Sequence, residues 1–472
     1  MRLTCAGGCV RGAVVVVCLG AAVAAAAQGT LDAATASRVD EAVQTVLARS
    51  GAPSASVAIV QGGAITYTKA YGTARVGPPP VAATPSMRYS IGSISKQFTA
   101  VALLLLAEEG RLSLDDRVSK WFPELTRAGD ISLRQLLSMT SGYQDYWPQD
   151  YVMPGMLEDV TPAAIMRGWA QKPLDFEPGT RWQYSNTNYV IAGQIAEREA
   201  GRPLLAFLRE RVFTPLQMAS VVDTDQAALG PGDPMRYRRF GLGPPREAPK
   251  EGKGWMSAAG ELAMTARDLA LWNVAVMNRA VLKPQSYREL ERETLLADGA
   301  PTAYGLGVNV AMTGGRRQIS HGGEVSGFTA RSEVYPDEKV GIVVLVNLDA
   351  SPASGQIANR IATALFAAAA TDTQRAVDQA RAIFAGLQKG EVDRSLFTAN
   401  MNAYFTPQAL ADFASSLGPL GPAASVTQAG QSLRGGMVLR RFAIAAGGRN
   451  LGVTAFIMPD GKIEQFLIAP SD

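Results

Sequence analysis

The sequence predicts an α/β domain whose sheet is assembled from distant parts of the chain, followed by a small α+β domain. Three observations carry this. Strand patterns stand at both ends of the stretch from Thr35 to Ala370, helical patterns fill the middle, and the pattern changes at Asp372. Strands separated by a helical insert must meet in one sheet to bury their apolar residues. The composition agrees: 472 residues, 47 % hydrophobic and 18 % charged, are the balance of a core-forming chain rather than a disordered one.

In chain order, Arg2 and Arg11 precede an apolar run from Ala13 to Ala27 that ends in small residues before the polar Gln28-Gly29-Thr30. This is the pattern of a signal peptide over 1–27, too short for the roughly 20 residues that span a bilayer, so the chain is expected to be exported, periplasmic or secreted. A helix is expected over Thr35 to Arg49. Ala55–Val60 and Ala64–Ala70 flank Gln61-Gly62-Gly63 as a hairpin. Ser93 to Glu109 reads as a helix apolar nearly all round, hence buried, and ended by Gly110. Helices are expected at Ser132–Met139, Thr187–Ala200, Pro203–Val212 and Thr265–Met277. Strands return at Gly305–Ala311, Phe328–Tyr335 and Val340–Asn347, and a helix from Ser354 to Ala370 closes the unit spanning 28–371. In 372–472, helical patterns at Thr373–Leu387 and Pro407–Leu417 precede a meander of Met437–Ala446, Leu451–Met458 and Ile463–Ala469.

Rare residues narrow the chemistry. The one histidine is His321, and the three cysteines, Cys5, Cys9 and Cys18, all lie in the leader. Cysteine nucleophiles, disulfide frameworks, Cys-ligated zinc and any site needing two histidines are thereby excluded from the mature chain. The net charge is +3 and two of the positive charges, Arg2 and Arg11, belong to the leader, so nothing argues for nucleic acid or an anionic membrane. The expected partner is a small-molecule or peptide substrate, with no nucleic acid, no stable membrane anchor, no metal and no cofactor.

A serine becomes a nucleophile only with a base to take its proton, and a lysine serves when its site suppresses the ammonium form. Of ten lysines, only Lys96 has a serine three residues earlier, in Ser93-Ile94-Ser95-Lys96. Alone, the pair reads equally as a helix-capping serine with a solvated lysine; here the lysine opens a strongly apolar helix, where a neutral amine is favoured. Tyr184-Ser185-Asn186 can present a phenol as proton shuttle and an amide to one side, though alone it is also a polar turn. His321-Gly322-Gly323, followed by Glu324, allows close backbone approach, as for an edge strand beside a bound acyl group, or forms a glycine turn with a loop histidine. No Gly-x-Ser-x-Gly elbow of a Ser-His-Asp hydrolase is present.

These three segments, with Arg88-Tyr89-Ser90-Ile91-Gly92 before the first and Leu136-Leu137-Ser138-Met139-Thr140-Ser141-Gly142-Tyr143 between, resemble the serine β-lactamase-related family. That family includes class C β-lactamases, penicillin-binding DD-peptidases, D-aminopeptidases and esterase-like members. The resemblance covers about Leu31 to Ala370. It implies a fold of the α+β type, an antiparallel sheet flanked by helices with a helical subdomain and the site between them. It further implies an exported serine hydrolase in which Ser93 forms the acyl-enzyme, Lys96 and Tyr184 move its proton, and Asn186 orients Lys96 and the substrate. The oxyanion hole would use the backbone N–H groups of Ser93 and Glu324. The third motif departs from the family's Lys-Thr/Ser-Gly: His321 stands for the lysine, Gly322 for the hydroxyl residue, and Gly323 keeps the glycine. The departure removes a cation that would grip a substrate carboxylate, with Arg316, Arg317 and Arg331 as candidate replacements, and favours esters, amides or D-amino acid derivatives. The alternative is a penicillin-binding or sensor-like protein of the same fold with little turnover, or a true β-lactamase or DD-peptidase. The resemblance does not reach 372–472, which carries no catalytic cluster and reads as an accessory domain.

Overall fold

The hairpin expected around Gln61-Gly62-Gly63 forms in the computed structural model. β1 (Ser54–Gln61) and β2 (Ala64–Arg75) pair antiparallel, and Gly62 and Gly63 both take positive φ at the turn. The structure describes residues 30–471, so the leader at 1–27 lies outside the described residues. Before the hairpin, α1 (Ala33–Ser50) begins where the Asp32 carboxylate accepts from the Thr35 N–H and stops at Gly51 in the left-handed conformation.

The chain returns to this hairpin only after the helical middle. β3 (Val81–Ala82), β4 (Asn309–Thr313), β5 (Arg316–Val325), β6 (Phe328–Tyr335) and β7 (Val340–Val346) complete a seven-stranded antiparallel sheet of order β3-β2-β1-β7-β6-β5-β4. Every residue of β7 is buried, because both faces of the sheet are covered. Val57, Ile59, Ile342 and Val344 join one core with α1 and the first half of α5 (Ala353–Leu387). Their neighbours Ala58, Val60, Val343 and Leu345 point the other way, into a larger core with α2 (Ser95–Glu108), α3 (Asn186–Ala200) and α4 (Ala266–Met277). α2 runs through the middle of that core, and each of its residues from Ser95 to Leu106 is buried.

Three elements differ from expectation. The strand expected over Gly305–Ala311 starts only at Asn309, since Gly307 takes a positive φ where the chain turns closely past the backbone of Lys96. β5 has no apolar alternation to mark it: its buried positions include Gln318, Ser320 and His321, satisfied by side-chain hydrogen bonds. The helices expected at Ser354–Ala370 and Thr373–Leu387 form one, α5, because no glycine or proline interrupts 367–373.

The buried residues of a third core all come from Val377 onward. The second half of α5 packs on a four-stranded meander of β8 (Ser425–Arg434), β9 (Met437–Ala446), β10 (Arg449–Ile457) and β11 (Ile463–Pro470). Among the described residues no helix is long and apolar enough to cross a membrane.

Candidate active site

Ser93 sits on a short 3-10 turn, Gly92–Ile94, that feeds directly into α2, and Lys96 follows in the first turn of that helix. The lysine is fully buried. Its Nζ lies 2.9 Å from Ser93 Oγ, 2.8 Å from Asn186 Oδ1 and 2.8 Å from the Ala259 carbonyl oxygen. Burial pushes the amine down to about 7, with the charges of Asp145 and Glu261 acting in the opposite direction.

Tyr184 and Asn186 come from the loop that enters α3, with Asn186 its first residue. Asp145 accepts from the Asn186 backbone N–H at 3.0 Å and from Nδ2 at 3.2 and 3.3 Å. A carboxylate only accepts, so the amide must turn its NH2 to Asp145, which leaves Oδ1 to Lys96. Burial raises the Asp145 carboxyl, opposed by the N–H groups of Trp147 and Asn186 and by Lys96. The Tyr184 ring lies 4.9 Å from Lys96 Nζ, and burial raises its phenol, the Ser93 hydroxyl acting in the other sense.

β5 brings the third segment against the nucleophile turn, backbone to backbone. A Cβ on Gly323 would stand 1.8 Å from the Ile91 carbonyl oxygen, and one on Gly92, whose φ is +52°, would stand 2.6 Å from Glu324 N. Gly322 is not so confined, its nearest neighbour being the Ala330 oxygen at 3.9 Å. β4 pairs with β5 only as far as Ser320, so His321 to Val325 form a free edge. Counting back from the turn at Ser326-Gly327, the antiparallel alternation points the Gly322 and Glu324 N–H groups away from β6 and toward Ser93. His321 Nε2 is 3.1 Å from the buried Tyr304 hydroxyl, and Nδ1 meets the Gly322 carbonyl. Burial first, and Lys96 and Arg331 after it, push the imidazole down to about 3, so it is neutral and supplies no cation where the family has its lysine.

A cleft of about 830 Å³ opens over these groups, with Asp145, Tyr184, Asn186, His321 and Arg331 in its walls. Of the candidate arginines only Arg331 reaches it, tied to Glu333 at 2.8 Å and to Ser320 Oγ at 3.2 Å. Arg316 and Arg317 pair elsewhere, with Glu338 and Glu291. The rim is acidic: Asp150, Glu324 and Asp349 line it, and Glu324 is pushed up to about 7 by burial beside the other two, against the Ala350 N–H it accepts at 2.6 Å. Among the described residues no group of three or more His, Cys, Asp or Glu side chains is placed to hold a metal ion.

Sequence reasoning missed Asp145, Glu261, Tyr304 and the Ala259 carbonyl. A signal existed for Asp145, a carboxylate set among Tyr143, Tyr146 and Trp147 just after Ser141-Gly142. The others have none, since only folding brings them to Lys96 and His321.

Comparison with known proteins bears on the family and the fold. A D-aminopeptidase of Brucella canis is 29 % identical over 312 residues, covering 63 % of this chain and 57 % of that protein, so the chain spans a little over half of that relative's length. A D-stereospecific amidohydrolase from Streptomyces sp. superposes with a TM-score of 0.60 at 27 % identity, over 68 % of this chain and 96 % of that one. A penicillin-binding protein homologue from Pyrococcus abyssi, 20 % identical with a TM-score of 0.62, shares the fold over 92 % of this chain and 99 % of its own. A family model described as Beta-lactamase matches residues 39–367. That span contains all three segments that meet at the cleft, and by it this chain belongs to the beta-lactamase family.

Proposed function

We propose that the chain is a serine hydrolase that works through an acyl-enzyme on Ser93, with amides or peptides of D-amino acids as its preferred substrates. The observation that carries this is the bonding of Lys96. A neutral amine has two hydrogens and one lone pair. Two of its three partners, Asn186 Oδ1 and the Ala259 carbonyl, can only accept, so the lone pair faces the Ser93 hydroxyl. Ser93 Oγ then attacks the substrate carbonyl as its proton passes to Lys96; Tyr184, which burial keeps protonated, hands its proton to the leaving nitrogen as the carbon–nitrogen bond breaks and takes the Lys96 proton in its place, so both groups return to their starting state. The N–H groups of Ser93 and Glu324 stabilise the oxyanion, and water completes the cycle.

The substrate preference rests on charge and on the relatives. The rim carries Asp150, Glu324 and Asp349, whereas the one arginine in the cleft is already paired with Glu333. Such a cleft suits a substrate with a free ammonium group and disfavours one anchored by a carboxylate, as in penicillins. The relatives named D-aminopeptidase and D-stereospecific amidohydrolase support D-configured substrates. The free edge of β5 offers an extended peptide a strand to pair with. The leader pattern at 1–27 supports action in the periplasm or outside the cell.

A fluorophosphonate probe is expected to label the protein and not Ser93→Ala; equal labelling of both would sink the acyl-enzyme reading. On the active protein, D-alanine p-nitroanilide is expected to be cleaved at least tenfold faster than its L-enantiomer and than a cephalosporin chromophore. Equal rates on all three would remove the substrate reading while leaving the nucleophile in place.

A further inference from the structure

Arg440 occupies a position that the strand pattern reserves for an apolar side chain. Along β9, Val438, Arg440, Phe442, Ile444 and Ala446 share one face, and Phe442, Ile444 and Ala446 belong to the third core. Arg440 is only 9 % exposed. Burying a guanidinium is costly unless it is well paired. Its pairing is thin: Nη2 meets the carboxylate of Asp372, itself largely in solvent, while Gln428 Oε1 and the Asp372 carbonyl lie at 3.4 Å, near the limit of a hydrogen bond.

Beside Arg440 the core is not filled. A cavity of about 350 Å³ lies between α5 and the meander, walled by Ala380, Ile383, Phe442, Ala455, Ile457 and Phe466. The pocket opens to solvent at one side, yet it reaches between the two layers, where interiors otherwise pack as densely as organic crystals. The volume falls in the range of about 300–1,000 Å³ that holds small ligands. At the mouth stands a second arginine, the exposed Arg375, against the single carboxylate of Asp372, so the mouth carries a net positive charge.

An apolar pocket reaching between the layers and an arginine placed against the strand pattern, side by side, are what a ligand with two chemistries would explain. We propose that this cavity binds a small amphipathic carboxylic acid, its apolar body between α5 and the meander and its carboxylate on the fork of Arg440, with Arg375 beside it. The planar fork of an arginine matches a carboxylate with two parallel hydrogen bonds. The exposed Asp372 side chain swings into solvent as the ligand takes its place. This site shares no residue with the cleft over Ser93 and does not depend on the chemistry proposed there.

The test is calorimetric titration of the full chain as Ser93→Ala, with decanoate, decanol and decylamine as probes. Decanoate is expected to bind at least tenfold more tightly than either neutral or cationic analogue. Arg440→Met is expected to bring decanoate level with decanol. Ala380→Leu and Ala455→Leu each grow into the cavity and are expected to abolish decanoate binding without lowering the melting temperature. Decanoate binding no tighter than decanol, or undiminished in both leucine variants, would overturn the proposal. If Arg440→Met does not fold, the probe series and the leucine variants still decide it.

Discussion

Lys96 is held between two carbonyl acceptors and a hydroxyl, and that setting fixes how activity should respond to pH. With the amine pushed down to about 7, kcat/KM is expected to climb through that pH as the proton is lost and to level off above it. The charge of Asp145 raises the amine, so Asp145→Asn is expected to move this limb to lower pH. The same variant replaces one of the two carboxylate oxygens that hold the Asn186 amide with a donating NH2, which loosens its orientation, and a drop in kcat of about tenfold should accompany the shift. His321, neutral down to about pH 3, contributes no limb, and His321→Asn should leave the profile in place. A pH–rate series on the three proteins checks each statement. The same shift has a sign for stability. Between about 7 and 10.5 an unfolded chain holds the Lys96 proton and the folded one does not, so this group makes stability rise with pH across that window.

At the scale of elements, the contact between the Gly92–Ile94 turn and β5 separates two neighbouring glycines. Gly323→Ala puts a methyl against the Ile91 carbonyl and is expected to cost more than about 2 kcal/mol or to displace Ser93, whereas Gly322→Ala should leave the denaturation midpoint nearly unchanged. Urea titration of the pair distinguishes them. α2 is held from every side, with Phe98 against Phe213 and Trp272 at ring-centroid distances of 5.2 and 5.0 Å, and Phe98→Ala is expected to cost about 3–5 kcal/mol in the same measurement. Elements of this kind were legible in the sequence because packing writes itself as apolar pattern: α2, the Gly62-Gly63 hairpin, β6 and β7 all stand where periodicity places them. Of β5 only the end at His321-Gly322-Gly323 was legible, as an edge strand; its length was not, since its buried positions are polar and hold by hydrogen bonds to partners distant in the chain. β8 escaped for a related reason, being a polar outer strand with Gly430 in it. Of the residues that meet at the cleft, the Ser93–Lys96 spacing and the lone His321 stand out by rarity, whereas Tyr184 and Asn186, a polar turn on their own, are picked out by the family resemblance. Asp145 and Glu261 act on Lys96 through space, and no spacing along the chain records that.

For the whole molecule, the three cores divide unevenly: two share the seven-stranded sheet, and the buried residues of the third all come from Val377 onward. Cores that share a sheet should melt together. Calorimetry is expected to show two transitions, and Phe442→Ala should lower only the one that belongs to the third core; a single transition lowered as a unit would show that the cores are coupled through α5. The free edge of β5 has a consequence at this scale too. An unpaired strand edge is an invitation to other sheets, and proteins ordinarily blunt it with charge, a bulge or a covering loop. Here the edge from His321 to Val325 lines the cleft, with Gly323 backed against the Gly92 turn and the exposed Glu324 among its residues. A lone extended segment can pair along what is left open, whereas another folded sheet would meet the turn and an acidic side chain on the same edge. The contact that positions the nucleophile thus also shortens the edge that could recruit other molecules.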